Sequence, residues 1–357
     1  MYCQATRIVA EAPCRIDLAG GTLDIYPIYL LEEGALTVNM AISLMSRVEI
    51  TVGGGRGVRI ISDDLKSEVY ATEAKNLPLG GALDLLARTV RFYGAPAGTV
   101  IRTRNEAPPG SGLGASSSLL IALSSALCQL NGLNLSEQEL IENAAQLEAQ
   151  NIGIPTGKQD YYAAVYGGLN AIWFNAGVTR LSRLDGDGEF VEELCRRLLL
   201  VYTGRSRCSA WTNWAMLKNY IEGHTDTRER MRKIREVSLQ MKEAIERKDI
   251  EAIGWLMNLE WEARRGLAEG VDCKEIQQVM RAAADAGAIA AKVCGAGGGG
   301  CMVVLAEDEN RQQVARAIAE TGAKVLEYRP YLRREEVVGQ PAWEGEDAVA
   351  SVIGDGE

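Results

Sequence analysis

The chain alternates between stretches with strand periodicity and stretches with helix periodicity. Residues 99–104 alternate polar and apolar side chains, which is typical of a half-buried strand. The segment SSSLLIALSSALCQL follows, and its leucine and alanine content with hydroxyls at the start predicts a helix that opens on a serine cap. An amphipathic pattern over residues 82–93 predicts another helix. The middle of the chain is therefore expected to run strand, loop, helix.

Further elements are predicted on both sides of this unit. The start of the chain reads as a strand, a glycine turn, a short helix and another strand, and residues 46–69 read as two strands around GGGRG. Ser136 and Glu139 form a capping-box pattern for a helix that ends near Asn151. The remaining predictions are a closing strand at 167–174, a long helical region at 211–268, helices at 274–287 and 311–321, a strand after the glycines at 297–300, and a strand at 323–330.

The length and composition predict two domains. The 357 residues are 47% hydrophobic, which is enough for two substantial cores. We expect an N-terminal domain at residues 1–175, a C-terminal domain at 176–337 and an acidic, mobile tail at 338–357. No run of 18 apolar residues and no signal-peptide pattern occurs, so we expect a cytoplasmic protein without a membrane span.

Charge and cysteine usage narrow the classes of partner. The formal net charge of −10 argues against nucleic-acid binding, because a phosphate backbone demands concentrated Lys and Arg. A small-molecule substrate suits this charge better. The eight cysteines show no CxxC pair and only one histidine is present, so a zinc site or a disulfide framework has little support.

The stretch EAPPGSGLGASSS, residues 106–118, is the strongest candidate for chemistry. Its alternating glycines can take positive φ values and bring successive N–H groups close to a ligand. A helix N-terminus directly after the loop would add free N–H groups and a positive dipole end, so we expect a phosphate site. A Walker A loop would need a lysine here, and a dinucleotide loop would need GxGxxG spacing. Glycines that serve packing only remain the alternative.

Two acids follow at a suggestive spacing. Glu148 lies near the end of a predicted helix, and Asp160 comes twelve residues later, after the loop 153–157. In phosphoryl transfer one acid can hold Mg²⁺ while another positions or deprotonates the attacking hydroxyl. Alternatively, Glu148 belongs to a solvated helix face and Asp160 is a helix cap.

The first glycine turn carries a cation, two acids and a hydroxyl around bare backbone. Arg15, Asp17, Thr22 and Asp24 could hydrogen-bond several sugar hydroxyls or position a phosphate, although surface turn chemistry explains such a set equally well. The later stretch KVCGAGGGG, residues 292–300, pays an entropic cost that is tolerable where backbone must approach something closely.

These stretches together resemble the three motifs of the GHMP kinases, the family of galactokinase, homoserine kinase, mevalonate kinase and phosphomevalonate kinase. RIDLAGG resembles the first motif in its fucokinase form, PPGSGLGASS the second and KVCGAGGGG the third, while GKQDYYAAVYGGLN resembles the bacterial heptose-phosphate kinases. The resemblance covers most of the chain. Galactokinases carry Glu-His in the first turn, where this chain has Gly21 and Thr22.

The resemblance implies an α+β fold, with an N-terminal domain of the ribosomal protein S5 domain 2 type and a ferredoxin-like C-terminal domain. It implies Asp160, Arg15 and Lys158 as catalytic residues, and Ser116 and Glu148 as ligands of Mg²⁺. The residues implied for the nucleotide phosphates are Pro109, Gly110, Ser111, Gly112, Leu113, Gly114, Ala115, Ser116 and Ser117. Those implied for the substrate are Asp17, Gly20, Gly21, Thr22, Asp24, Gly297 and Gly298.

The function implied is transfer of the γ-phosphoryl group of ATP to a hydroxyl of a sugar or sugar phosphate. Both the fucokinases and the heptose 7-phosphate kinases phosphorylate the anomeric hydroxyl, so a sugar-1-kinase is the preferred class. A galactokinase or another GHMP small-molecule kinase stays open, as does a sensor that binds sugar and ATP without turnover. A homodimer is also possible. A dinucleotide-binding oxidoreductase is disfavoured by the glycine spacing.

Overall fold

The computed structural model describes residues 6–53, 55–205 and 209–332. The tail predicted at 338–357 lies outside them. The helices in the described chain are α1 (Ile28–Leu31), α2 (Asp84–Tyr93), α3 (Ala115–Asn131), α4 (Glu137–Ile152), α5 (Gln159–Tyr166), α6 (Gly188–Arg197), α7 (Ser209–Ile221), α8 (Thr225–Glu246), α9 (Ile250–Arg264), α10 (Lys274–Asp285) and α11 (Asp308–Glu320). The strands are β1 (Thr6–Ala19), β2 (Ala35–Val52), β3 (Val58–Ser62), β4 (Ser67–Ala71), β5 (Thr99–Asn105), β6 (Leu169–Phe174), β7 (Thr179–Arg183), β8 (Leu198–Tyr202), β9 (Ala288–Val293), β10 (Cys301–Ala306) and β11 (Lys324–Leu326).

The first half of the chain builds a mixed sheet around the long strand β2. The path is β4-β3-β5-β2-β6-β7, and β1 runs antiparallel to β2. Every residue of β1 from 12 to 19 is buried, because helices pack on it from both halves of the chain. The pairing of β1 with β2 shifts register between Asp17 and Ala19, and such a bulge re-aims the side chains beside it.

The second half builds an antiparallel sheet in the order β11-β8-β10-β9. Residues of β10 are buried throughout, as the apolar run after the glycines predicts. Helices α8 and α9 pack against each other, and α9 also packs on β9. The side chains of Cys14, Ile16 and Leu18 share one apolar cluster with residues of α8 and α9, so the two halves join directly behind β1.

Several sequence predictions need correction in detail. Residues 46–69 contain three strand segments rather than two, because β2 runs through residue 46 before β3 and β4 begin. Helix α6 and strand β7 were not predicted, and the long helical region at 211–268 is three helices. Strand β7 pairs with β6, so the first sheet continues past the boundary predicted at residue 175.

The two helices next to the candidate acids begin differently. The predicted capping box of α4 is confirmed, since the Ser136 hydroxyl accepts the Glu139 N–H and the Glu139 carboxylate accepts the Ser136 N–H at 2.8 Å. The predicted serine cap of α3 is wrong. Gly114 is the N-cap residue at φ +74°, a left-handed conformation that glycine adopts without steric cost, and no side chain caps the helix. Across the described ranges, no helix is both long and apolar enough to cross a bilayer.

Candidate active site

A cavity of about 400 Å³ lies between the turn after β1, the 106–114 loop, the first turns of α3 and α5, and the connection between β9 and β10. The loops that carry the chemistry in sequence thus converge on one space. Its lining joins residues from both halves of the chain, including Arg264 from α9 and Gly295 from the β9–β10 connection.

The glycine loop forms one wall of this cavity. Gly110, Gly112 and Gly114 all have positive φ values, of +67°, +72° and +74°. The loop leads into the N-terminus of α3, and free N–H groups at such a terminus favour bound anions. Of the nine loop residues predicted to bind phosphates, the ones that line the cavity are Pro109, Gly110, Ser111, Gly112, Gly114, Ala115, Ser116 and Ser117.

The ninth residue, Leu113, has a supporting position instead. Its side chain is fully buried, and its carbonyl accepts the backbone N–H of Arg15 at 3.0 Å. This hydrogen bond ties the loop to β1. A leucine between two glycines carries no sign in the sequence of whether its side chain or its backbone matters.

The second glycine-rich stretch supports the loop from behind. A Cβ atom built on Gly295 would stand 3.1 Å from the Cα of Gly112, and the N–H of Cys301 donates to the carbonyl of Ser111 at 2.6 Å. Because these backbones touch, side chains at Gly112 and Gly295 would push the loop out of place.

The assignment of Gly297 and Gly298 to the substrate is not supported. Gly298 donates its N–H to the carbonyl of Val271 at 2.6 Å, and a Cβ on Gly297 would meet the same residue at 2.6 Å. The residues of this stretch that line the cavity are Gly295 and Ala296. A run of glycines identifies a close backbone approach, but it does not reveal which glycine faces the ligand.

Asp160 and Arg15 form an ion pair at the centre of the cavity. The Nε of Arg15 donates to the Oδ1 of Asp160 at 2.6 Å, and its Nη1 donates to the carbonyls of Gly112 and Cys294 at 2.7 and 2.9 Å. Burial raises the pKa of Asp160, and the charge of Arg15 opposes that rise. The guanidinium therefore fixes the carboxylate and the glycine loop relative to each other.

Glu148 faces the start of α3, where hydroxyl groups surround it. Ser116 and Ser117 donate to its two oxygens at 2.5 and 3.0 Å, and the hydroxyl of Tyr161 also donates to it. Burial raises the pKa of Glu148, while these hydroxyls oppose the rise. A nearby cation would favour the charged form that burial disfavours.

The donor set at this position fits a magnesium ion shared with phosphates. Within residues 6–53, 55–205 and 209–332, no group of three His, Cys, Asp or Glu side chains could hold a metal by itself. Mg²⁺ in phosphate-transfer sites is typically held by one or two carboxylates together with substrate phosphates and water, and not by an all-protein cage. Ser116 and Glu148, beside an anion-binding loop, match that arrangement.

The structure does not support a catalytic role for Lys158. Its ammonium group pairs with the carboxylate of Glu142 at 2.7 and 2.9 Å and lies 5.8 Å from the ring centre of Tyr29. Lys158 is not among the described residues that line the cavity. The sequence placed it two residues before Asp160, and adjacency along the chain does not ensure a shared direction at a helix start.

The turn after β1 forms the wall opposite the glycine loop. Asp24 is buried, and its Oδ2 accepts the N–H of Gln159 at 2.9 Å. Burial raises the pKa of Asp24 to about 6, and Asp160 and Asp17 contribute to the rise. Thr22 has a φ of +81°, which is uncommon for a β-branched residue. Gly20 does not line the cavity but lies against the backbone of β2, where a Cβ would stand 2.0 Å from the carbonyl of Leu36.

Three buried charged residues beside this turn were missed at the sequence level. Arg264 and Glu260 come from α9 and Lys292 from β9, and all three are at most 1% exposed. Lys292 lies 3.5 Å from Asp17 and 3.6 Å from Glu260. Ordinary charged residues in a helix and a strand give no signal of burial, so only the folded chain brings them together.

An apolar patch closes the other end of the cavity. It combines the β3–β4 turn with the start of α2, through the side chains of Leu65, Leu83, Leu85 and Leu86. Apolar walls next to an anion-binding loop suit a flat aromatic base attached to phosphates. The sequence gave no sign of this patch, because its residues come from two separate elements.

A phosphate loop, a positioned acid and a set of buried polar groups around one cavity define a small-molecule phosphotransferase. Comparison with known proteins agrees. The family GHMP kinases N terminal domain matches residues 76–168, and the family GHMP kinases C terminal matches residues 241–324. The chain belongs to the GHMP kinases and is an ATP-dependent phosphotransferase of that family.

Individual relatives cover most of the chain. The D-glycero-alpha-D-manno-heptose 7-phosphate kinase of Campylobacter jejuni is 28% identical over 329 residues, which are 90% of this chain and 96% of that protein. The galactokinase of Thermococcus kodakarensis is 30% identical over 256 residues, covering 64% of this chain and 71% of that protein. The structure of a D-glycero-D-manno-heptose 1-phosphate kinase from Bacteroides thetaiotaomicron aligns with a TM-score of 0.75 at 24% identity, over 91% of this chain and 96% of that one. The two-domain α+β fold predicted from the sequence is confirmed.

Proposed function

We propose that the protein transfers the γ-phosphoryl group of ATP to the anomeric hydroxyl of a sugar or sugar phosphate. The observation that carries the proposal is the contact between the glycine loop and Asp160 within one cavity, where a Cβ on Gly114 would lie 2.9 Å from the carboxyl carbon of Asp160. The names of the Campylobacter and Thermococcus relatives, a heptose 7-phosphate kinase and a galactokinase, favour a sugar as the acceptor.

The nucleotide occupies the side of the cavity formed by the loop and the apolar patch. Backbone N–H groups of the loop and of the α3 N-terminus bind the phosphates, and the leucines at the far end contact the base. Ser116 and Glu148 would hold Mg²⁺. That ion, when bound, neutralises charge that develops on the phosphates.

The acceptor occupies the side formed by the turn after β1. Asp24, Asp17 and Thr22 line that side and bind sugar hydroxyls. Within the described chain, neither carboxylate oxygen of Asp17 accepts a hydrogen bond, although the residue is buried. A buried carboxylate without donors is costly, and acceptor hydroxyls supply donors at this position.

Asp160 acts on the attacking hydroxyl of the acceptor. Its carboxylate orients that oxygen and accepts its proton, while Arg15 holds the carboxylate in place. Phosphoryl transfer passes through a loose transition state, so positioning and charge neutralisation contribute more than proton transfer. A cytoplasmic location and a homodimer remain predictions of the sequence that accompany this proposal.

The experiment is an assay of ADP release with a panel of free and phosphorylated sugars, followed by phosphorus NMR of the product. The proposal expects turnover with at least one sugar and a phosphate on its anomeric carbon. Phosphate on another hydroxyl would overturn the position. Sugar and ATP binding without any ADP release would overturn the enzyme in favour of a sensor.

A further inference from the structure

The turn that faces the acceptor depends on a side chain from the other half of the chain. Arg264, the last residue of α9, donates from Nη2 to the carbonyl of Gly21 at 2.6 Å and from Nη1 to the hydroxyl of Thr22 at 3.0 Å. Both acceptors belong to the turn after β1. The guanidinium thus clamps two consecutive residues of the turn in a geometry that a planar fork provides and a lysine ammonium does not.

Arg264 is itself held firmly. Its Nε donates to the Oε1 of Glu260 at 2.8 Å, one helical turn earlier, and the two side chains are 1% and 0% exposed. The positive charge also lies at the C-terminal end of α9, where the helix dipole favours a cation. The guanidinium therefore has little freedom to leave the turn.

A second cation completes the cluster. Lys292 donates to the backbone carbonyl of Asp17 at 2.7 Å and lies between the carboxylates of Asp17 and Glu260. The four side chains of Asp17, Glu260, Arg264 and Lys292 sum to no net charge, so their burial is balanced. Such a cluster is a costly way to gain stability, which suggests that it fixes a conformation.

The conformation at stake is strained. Thr22 has a φ of +81°, and a Cβ on Gly21 would stand 2.2 Å from the Oδ2 of Asp17. Residues in such backbone conformations persist where the surroundings over-determine them. The two contacts from Arg264 meet the turn at these two residues.

We propose that Arg264 is a positioning residue for acceptor binding, acting through its clamp on Gly21 and Thr22. This inference rests on the proposed function, because it concerns the wall that binds the acceptor. The glycine loop is held by separate contacts, from Arg15 and Cys301, so loss of the clamp affects the acceptor and spares the nucleotide.

The test uses Arg264→Lys, which keeps the charge beside Glu260 and shortens the reach to the turn. The matched control is Arg230→Lys, because Arg230 on α8 donates to the carbonyl of Glu262 at 3.1 Å and does not contact the turn. Thr22→Val is the second variant, since it removes one acceptor of the clamp and leaves Glu260 paired.

Two measurements decide the inference. The first is the KM for the acceptor and for ATP, where Arg264→Lys should raise the acceptor KM by about tenfold and leave the ATP KM within about twofold. The second is amide exchange at Leu23 and Ile25, whose N–H groups donate to Gly20 and Thr22 within the turn. Arg264→Lys should speed it by about tenfold, Thr22→Val should shift both readouts the same way, and Arg230→Lys should shift neither.

The outcomes separate this inference from the proposed function. An unchanged acceptor KM, or a raised KM with unchanged exchange, overturns the positioning role while the kinase activity stands. If the native chain releases ADP with no sugar, the proposed function fails. The exchange rates then decide the clamp by themselves, with faster exchange supporting it and unchanged exchange overturning it.

Discussion

Gly114 and Asp160 lie in direct contact, because a Cβ on Gly114 would stand 2.9 Å from the carboxyl carbon of Asp160. The residue that opens α3 therefore leaves room only for the acid that opens α5. This contact joins the phosphate loop to the group that acts on the acceptor, and it depends on the missing side chain.

The first prediction concerns that contact. Gly114→Ala should lower kcat/KM by about 10²-fold, because a displaced reacting group costs that much when it moves by about an ångström. The matched control is Gly132→Ala, at the other end of α3. Gly132 has a φ of +64°, and nothing lies within 4 Å of its Cβ position. Both variants should lose about 1–2 kcal/mol of stability, but only Gly114→Ala should lose activity. Equal activities would contradict the contact.

The second prediction concerns the magnesium requirement. Glu148→Gln should raise the Mg²⁺ concentration needed for half-maximal rate by about tenfold or more, because it removes an anionic ligand. Glu142→Gln, on the same helix, is the control, since Glu142 pairs with Lys158 outside the cavity. Magnesium titrations that coincide for Glu148→Gln and the native protein would remove Glu148 from the metal site.

The third prediction uses the buried carboxyl of Asp24, whose pKa is raised by burial to about 6. A carboxyl whose pKa is higher in the folded state destabilises the fold as the pH rises through the interval between the two pKa values. Asp24→Asn should therefore gain stability relative to the native protein between pH 4 and pH 7.5, on the order of 2 kcal/mol. Urea unfolding at both pH values measures it. A difference that is the same at both would contradict the raised pKa.

The fourth prediction concerns Lys158, which the sequence suggested as catalytic. Lys158→Gln should keep kcat within about twofold and lose less than about 1 kcal/mol of stability, as for other partly exposed ion pairs. Steady-state kinetics at saturating ATP and sugar give kcat. A loss of 10²-fold or more would return Lys158 to the catalytic group.

Much of the site could be read from the sequence, because backbone constraints leave local marks. The glycines at 110, 112 and 114, the capping box at Ser136 and the spacing of Glu148 and Asp160 each depend on residues close in the chain. Local patterns of this kind predicted where loops and helices begin. They also placed the phosphate loop correctly before a helix.

The rest depends on contacts between distant segments. Arg264 meets the first turn across 243 residues and Lys292 meets Asp17 across 275, and neither carries a motif. The cap of α3 was misassigned because the serines, which favour a cap, donate instead to Glu148 from another helix. Tertiary contacts override local propensity in these cases.

The most direct test of the account is the turnover of Asp160→Asn compared with its affinity for ATP. The account predicts that ATP binds with nearly native affinity, since the loop and the α3 N-terminus are intact, while kcat falls by about 10²- to 10⁴-fold. Isothermal titration with a non-hydrolysable ATP analogue and an ADP-release assay give the two values. A variant that binds ATP and keeps a near-native kcat would show that Asp160 does not act on the acceptor.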